Sequence, residues 1–246
     1  MRYRIKMKLI ETAFVILVSA LALTEAAAQN MPANNKIKAE IKYTSKDFPV
    51  SDIGHKSWAK AKEVVISKYW SGKAAPPGRQ FKAKLLWSDT AIYVRFEANQ
   101  TEPLIISDVP NLKTKTDKLW DRDVCEIFLA PKRNDRRKYY EFEIAPNGEW
   151  TDLFIDYTGT ERRTDWRYKS GMDSFAAIEK NTVLMAIRIE WKAFGTEPKA
   201  GDIWLGNLLR CIGKDPDRGY LAWSPTETEV PNFHVPEKFG EFEFVK

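Results

Sequence analysis

Two pairs of acidic residues are the first feature of this chain with chemical potential. Glu141 and Glu143 stand two apart on a strand-like run, so they share one face, and Asp121 and Asp123 have the same spacing. Two carboxyls flanking a glycosidic bond, one with a raised pKa, could hydrolyse it. With 34 acidic residues in the chain such pairs arise often, so hydrolysis is the alternative here and not the main reading. Other catalytic chemistry has weaker support. The two histidines, His55 and His234, lie in Gly- or Pro-flanked segments without a nucleophile elbow. The two cysteines, Cys125 and Cys211, have no zinc-type spacing. Both sit in apolar runs, and a disulfide and a buried free pair stay equally open. His234 with Met172 or Met185 could serve as an axial haem pair, although no haem-attachment motif is present.

The nine tryptophans divide by their company. Trp120 is surrounded by Asp117, Lys118, Asp121, Arg122 and Asp123, whereas a core tryptophan has mostly apolar neighbours. It reads as a flat apolar surface offered to a ligand. Trp223 supports two readings: it shares a strand side with Leu221, which suits a core, and precedes Ser224-Pro225, which suits a loop mouth. Trp87, Trp191 and Trp204 sit in apolar alternation and read as core, while Trp58 and Trp70 would cover one end of the domain. Trp150 and Trp166 are left open, Trp166 being placed to line a site from a loop.

These residues must be carried by strands. The chain alternates with period two and is broken by turn signals: Ser88-Asp89-Thr90, Pro146-Asn147-Gly148 and Lys180-Asn181-Thr182 each separate two alternating runs. Strands are expected at 80–87, 91–97, 124–129, 139–145, 150–157, 174–179, 183–191, 203–212, 219–223 and 241–245, with one short helix at 58–65. About ten strands linked by turns predict an all-β fold, an antiparallel, jelly-roll-like β-sandwich with one face of each sheet partly wet. Within 123–129, Cys125, Ile127 and Leu129 share the core side, and Glu126 lies on the other with Val124 and Phe128.

The first residues have the layout of a secretory leader. Arg2, Arg4, Lys6 and Lys8 precede an apolar stretch from Ala13 to Leu23, then Ala26-Ala27-Ala28. That stretch is too short to span a bilayer, which needs ~20 apolar residues. The expected organisation is a signal peptide at 1–28, a disordered lead-in at 29–36 and one domain at 37–246, in the periplasm or outside the cell, with no membrane span once the leader is removed. The formal charge of the chain is +5. The leader has four basic and two acidic residues (Glu11, Glu25), so the remainder carries about +3 and is nearly balanced. The basic run at 132–138 reads as a solvated hairpin tip, and no nucleic-acid partner is expected.

Four segments in order resemble one family: QFKAKLLWSDTAIYVRF at 80–96, LWDRDVCEIFL at 119–129, YYEFEIAPNG at 139–148, and GDIWLGNLLR at 201–210 followed by AWSP at 222–225. They are similar to the family 9 carbohydrate-binding modules and the exported family 9-like proteins related to them. The resemblance implies a non-catalytic β-sandwich that holds an oligosaccharide or glycan end between two tryptophans, with polar side chains fixing the hydroxyls. Trp120 and Glu126 match the first aromatic and its acidic hydrogen-bonder. Trp223 is the candidate second aromatic, and Arg122, Asn207 and Arg210 are the further candidate hydroxyl readers. The chain departs from the pattern where Glu141 and Glu143 stand on a strand that often carries a basic residue, and no equivalent of the family's glutamine is found. The resemblance also implies structural calcium. Asp47, Asp52 and Asp89 are candidate oxygen ligands, although no calcium loop is present. Nothing in the sequence sets the oligomeric state.

Overall fold

The alternation in the sequence becomes thirteen strands and six short 3-10 turns, with no α-helix among the described residues. The computed structural model describes residues 36–246; the expected leader and the segment from 29 to 35 lie outside the described residues. The strands are β1 (Lys38–Tyr43), β2 (Glu63–Ile66), β3 (Phe81–Trp87), β4 (Ala91–Asn99), β5 (Val124–Ala130), β6 (Lys138–Ile144), β7 (Trp150–Asp156), β8 (Arg163–Asp165), β9 (Asp173–Ile178), β10 (Thr182–Glu190), β11 (Ile203–Ile212), β12 (Gly219–Ala222) and β13 (Gly240–Val245). All ten expected strands are present, and β1, β2 and β8 are additional. No helix forms at 58–65. A 3-10 turn spans Lys56–Lys60, and the β-branched Val64, Val65 and Ile66 pair with β3 as part of β2.

The turns form as their residues require. Ser88 Oγ accepts from the backbone N–H groups of Thr90 and Ala91 and closes the β3–β4 hairpin. Gly148 takes φ +86° in the turn before β7, where Asn147 Oδ1 accepts from the Glu149 N–H. The basic run at 132–138 lies between β5 and β6, around a 3-10 turn at Arg133–Asp135.

The strands make one continuous sheet in the order β8-β7-β6-β5-β11-β13-β1-β3-β4-β10-β9, with β12 also on β11 and β2 also on β3. This corrects the expectation of an antiparallel fold of about ten strands. β1 runs parallel to both its neighbours, β13 and β3, so the sheet is mixed. A parallel pair cannot be made by a tight hairpin, and β1 takes its place by pairing with β13 at the far end of the sequence and with β3. The sheet curls so that its two halves face each other across the main core. Phe142 of β6 packs on Phe194 (ring centroids 5.7 Å apart), and Trp191 packs on Trp204 of β11 (5.8 Å). Trp87, Trp191 and Trp204 are buried there, as expected.

The outer face of β5, β6 and β11 is not wet. A second apolar cluster, including Phe128, Tyr139, Leu209, Phe233 and Phe239, covers it. Every residue of β5 is buried. Because β5 is buried on both faces, its cysteine and that of β11 are held apart. Cys125 points into the main core and Cys211 into the outer cluster, on opposite faces of the sheet, so they form no bridge. Burial pushes the Cys125 thiol up to about 12.

Gly206 of β11 sits tightly against β5. A Cβ there would stand 1.9 Å from the Phe128 carbonyl oxygen and 2.9 Å from the Phe242 ring. Gly206→Ala is therefore expected to cost about 2–3 kcal/mol and lower Tm by roughly 5–10 °C, read by thermal unfolding. In the native protein neither thiol should react with a thiol reagent; both should react once it is unfolded, with no disulfide in the intact mass.

Candidate functional site

A cavity of about 520 Å³ opens on the outer face of β5 and β6, a size suited to a small ligand. Its base is made by strands. Cross-strand register puts Glu126 of β5 opposite Glu143 of β6, and Phe128 opposite Glu141. Alternation then turns Tyr139, Glu141 and Glu143 outward, while Tyr140, Phe142 and Ile144 face the main core. The mouth is made by turns. Trp120 lies in the 3-10 turn Leu119–Asp121 just before β5, and Trp166 directly follows β8. Asp117, Lys118, Asp121, Arg162 and Asn232 line the exposed side, while Phe233, His234 and Tyr220 close the wall.

The two indoles are neighbours, with centroids 5.9 Å apart and planes tilted by 44°. A sugar ring clamped between them would need about 7–8 Å, a carbon contact of 3.5–4.0 Å on each side. They present one folded aromatic surface instead of two facing plates. Trp166 is 39 % exposed, an unusual position for so large an apolar ring.

The base of the cavity is acidic and dry. Glu126, Glu141 and Glu143 are 2 %, 3 % and 0 % exposed, and one ligand oxygen of each lies within 4.8 Å of the others. Glu126 and Glu141 line the cavity; Glu143 lies behind them. Cys211 Sγ donates to Glu126 Oε1 at 3.5 Å. Burial, and then the Glu141 charge, pushes the Glu126 carboxyl well above the usual carboxylate range. Burial raises Glu143 in the same way, with Glu126 and Glu141 adding to it, and burial raises Glu141. His234 stacks on Phe128 (5.2 Å) and its Nδ1 hydrogen-bonds the Tyr139 hydroxyl (2.7 Å). Burial holds it neutral, with a pKa of about 3.

Of the residues expected to bind, the structure brings Trp120 and Glu126 together at this cavity and engages the other four elsewhere. Trp223 is 6 % exposed and stacks on Phe242 in the main core (5.0 Å, 17°), because its strand side is the inner one. Asn207 is fully buried. Its Nδ2 donates to the Ser224 carbonyl and its Oδ1 accepts from the N–H groups of Ser224 and Leu208, stitching β11 to the following loop. Arg210 is 2 % exposed and donates to the Arg79 and Asn99 carbonyls (both 2.7 Å) and to Gln100 Oε1 (2.6 Å). Arg122 pairs with Glu149 at 2.5 Å. The Asn207 amide and the Arg210 guanidinium are thus engaged within the fold. Trp166, Glu141 and Asn232 lie at the cavity instead; the sequence already sets Trp166 to line a site from a loop and puts Glu141 in a carboxyl pair, whereas Asn232 carries no advance signal.

The alternative chemistries are also placed. The haem pair is separated: Met172 and Met185 belong to the main core, whereas His234 packs on the outer cluster. Glu141 and Glu143 form a pair on one strand face with Glu126 beside them. All three rise from one wall, while a glycosidase pair must flank the bond. The candidate calcium ligands Asp47, Asp52 and Asp89 are not among the described residues whose ligand atoms converge. Asp47 accepts from Ser88, Thr90 and Tyr93 and faces Arg188, and Asp89 accepts from Tyr43.

The sequence profile of the family described as "Carbohydrate family 9 binding domain-like" matches residues 52–246. A protein named "Extracellular protein" from Arthroderma benhamiae is 24% identical over 184 residues, 69% of this chain and 80% of its own length. Three solved structures share the fold, each over 85% of this chain. One is an inferred carbohydrate-binding protein from Bacteroides uniformis (TM-score 0.68, 15% identity, 100% of its length). The others are a family 9 carbohydrate-binding module from Caldicellulosiruptor kristjanssonii with cellotriose (TM-score 0.60, 17%, 94%) and one with glucose (0.60, 18%, 95%). This chain, through most of its length, belongs to the carbohydrate family 9 binding domain-like family.

Proposed function

We propose that this protein binds carbohydrate without catalysis, in the cavity beneath Trp120 and Trp166. The observation that carries the reading is the pairing of a part-exposed aromatic surface with an acidic base in one concave site. A pyranose has an apolar C–H face and a rim of hydroxyls. The folded indole pair suits the first, and Glu126 and Glu141, with Asn232 and Arg162 at the mouth, suit the second. The family, and the glucose and cellotriose bound by two structural neighbours, support the same ligand class. The sugar lies against the two indoles, not between them. The curled sheet serves as the jelly-roll-like sandwich that positions the site.

Export to the periplasm or the outside of the cell is part of the proposal. It is supported by the positive, apolar and small-residue order of the first 28 residues and by the extracellular naming of a relative. No helix among the described residues is long and apolar enough to cross a membrane.

Calorimetry against a panel of mono- and oligosaccharides tests the reading. Saturable heat is expected with at least one glucose-type sugar, and Trp120→Ala or Trp166→Ala should weaken binding at least tenfold, about 1.4 kcal/mol. No heat across the panel from folded protein, or release of shorter products, would overturn it. Asn207→Ala is the contrasting control. Losing three hydrogen bonds should cost about 2–3 kcal/mol of stability with the sugar affinity unchanged.

A further inference from the structure

The base of the cavity gathers three carboxyl groups with no basic partner among the described residues. Glu143 is fully buried, and neither of its carboxyl oxygens has a hydrogen-bond partner; Glu141 Oε2 is in the same state. Among the described residues no lysine or arginine pairs with Glu126, Glu141 or Glu143. The nearest basic groups act from a distance. Arg162 is at the exposed mouth, and Arg218 is held by the carbonyls of Gly213, Trp120 and Arg122. Asp121 and the Cys211 thiol also face the cluster, and neither brings positive charge.

Only the Cys211 thiol donates to the cluster, and keeping any of these buried carboxyls ionised costs several kcal/mol, so the cluster calls for a proton or a cation. The surrounding outer face is apolar, and apolar residues at these three positions would pack it without that cost. The spacing of the three carboxyls fits a cation: Ca–O contacts of about 2.3–2.6 Å let two ligand oxygens stand up to ~5 Å apart, and the three oxygens here lie within 4.8 Å. An entry path exists, because Glu126 and Glu141 line the open cavity.

We propose that Glu126, Glu141 and Glu143 form a binding site for an oxygen-preferring divalent cation at the base of the cavity. All-oxygen ligation selects calcium, magnesium or manganese over softer metals. The site is distinct from Asp47, Asp52 and Asp89 and stands apart from the sugar reading, since it rests on chain atoms alone. Cation binding displaces protons. Carboxylate ligands hold a cation in their ionised form, so binding tightens as pH rises.

The test is calorimetry of the chelator-treated protein with Ca²⁺ and with Mn²⁺, at pH 5 and pH 8, without sugar. One ion per chain is expected, at least tenfold tighter at pH 8, with proton release seen as a dependence of the heat on buffer ionisation enthalpy. The near-isosteric Glu143→Gln should weaken binding at least tenfold, with folding confirmed by near-ultraviolet circular dichroism, and Glu126→Gln provides a second variant should the first not fold. No binding of either ion at pH 8 would overturn the proposal and leave protons as the neutralising species. Binding that both variants retain would also overturn it, by placing the ion elsewhere.

Discussion

The constraint on which the structure depends is that β5 and β11 are buried on both faces. An outer strand of a curled sheet can be wetted on one side, and period-two alternation then suffices. Here the inner side of β5 joins the main core through Cys125, Ile127 and Leu129, and the outer side joins a second cluster through Val124, Phe128 and Ala130. Gly206 exists because the strands approach so closely at that point. The same double burial keeps the two cysteines apart and withdraws Glu126, Glu141 and Glu143 from water. The unusual electrostatics of the cavity follow from the packing and not from the carboxyl groups themselves.

Much of this was legible in the sequence, for identifiable reasons. Turn chemistry at Ser88, Asn147 and Gly148 and alternation between turns located ten strands, because both are local properties. The inner side of β5 was assigned correctly from alternation alone. β1 was not, since its place between β13 and β3 is set by pairing with residues at the other end of the chain. β8 has three residues, too few to show a period. The helix expected at 58–65 gave way to β2 because pairing with β3 satisfies its backbone.

Of the expected binding residues, Trp120 and Glu126, where the resemblance and the strand setting agreed, line the cavity. Asn207, Arg210 and Arg122 do not, and their residue types suit hydroxyl recognition as well as they suit structural pairing. Sequence cannot show that the Arg210 guanidinium is already engaged by two carbonyls and a glutamine. Trp223 was ambiguous for a simple reason: its neighbours Leu221 and Ser224-Pro225 point to different environments, and its ring follows Leu221 inward. The place of Trp166 beside Trp120 depends on the position of β8 beside β7, which no local pattern reveals.

A polar-rimmed aromatic surface above dry carboxyls is the feature that joins fold to function. The most direct test is to follow the nine indole N–H resonances by NMR while titrating glucose and cellotriose. Trp87, Trp191 and Trp70 have their N–H groups held by the carbonyls of Val245, Ser88 and Thr228 and serve as internal references. The account predicts saturable shifts in Trp120 and Trp166 with Trp223 unmoved. Shifts centred on Trp223, or none at all with either sugar, would contradict it.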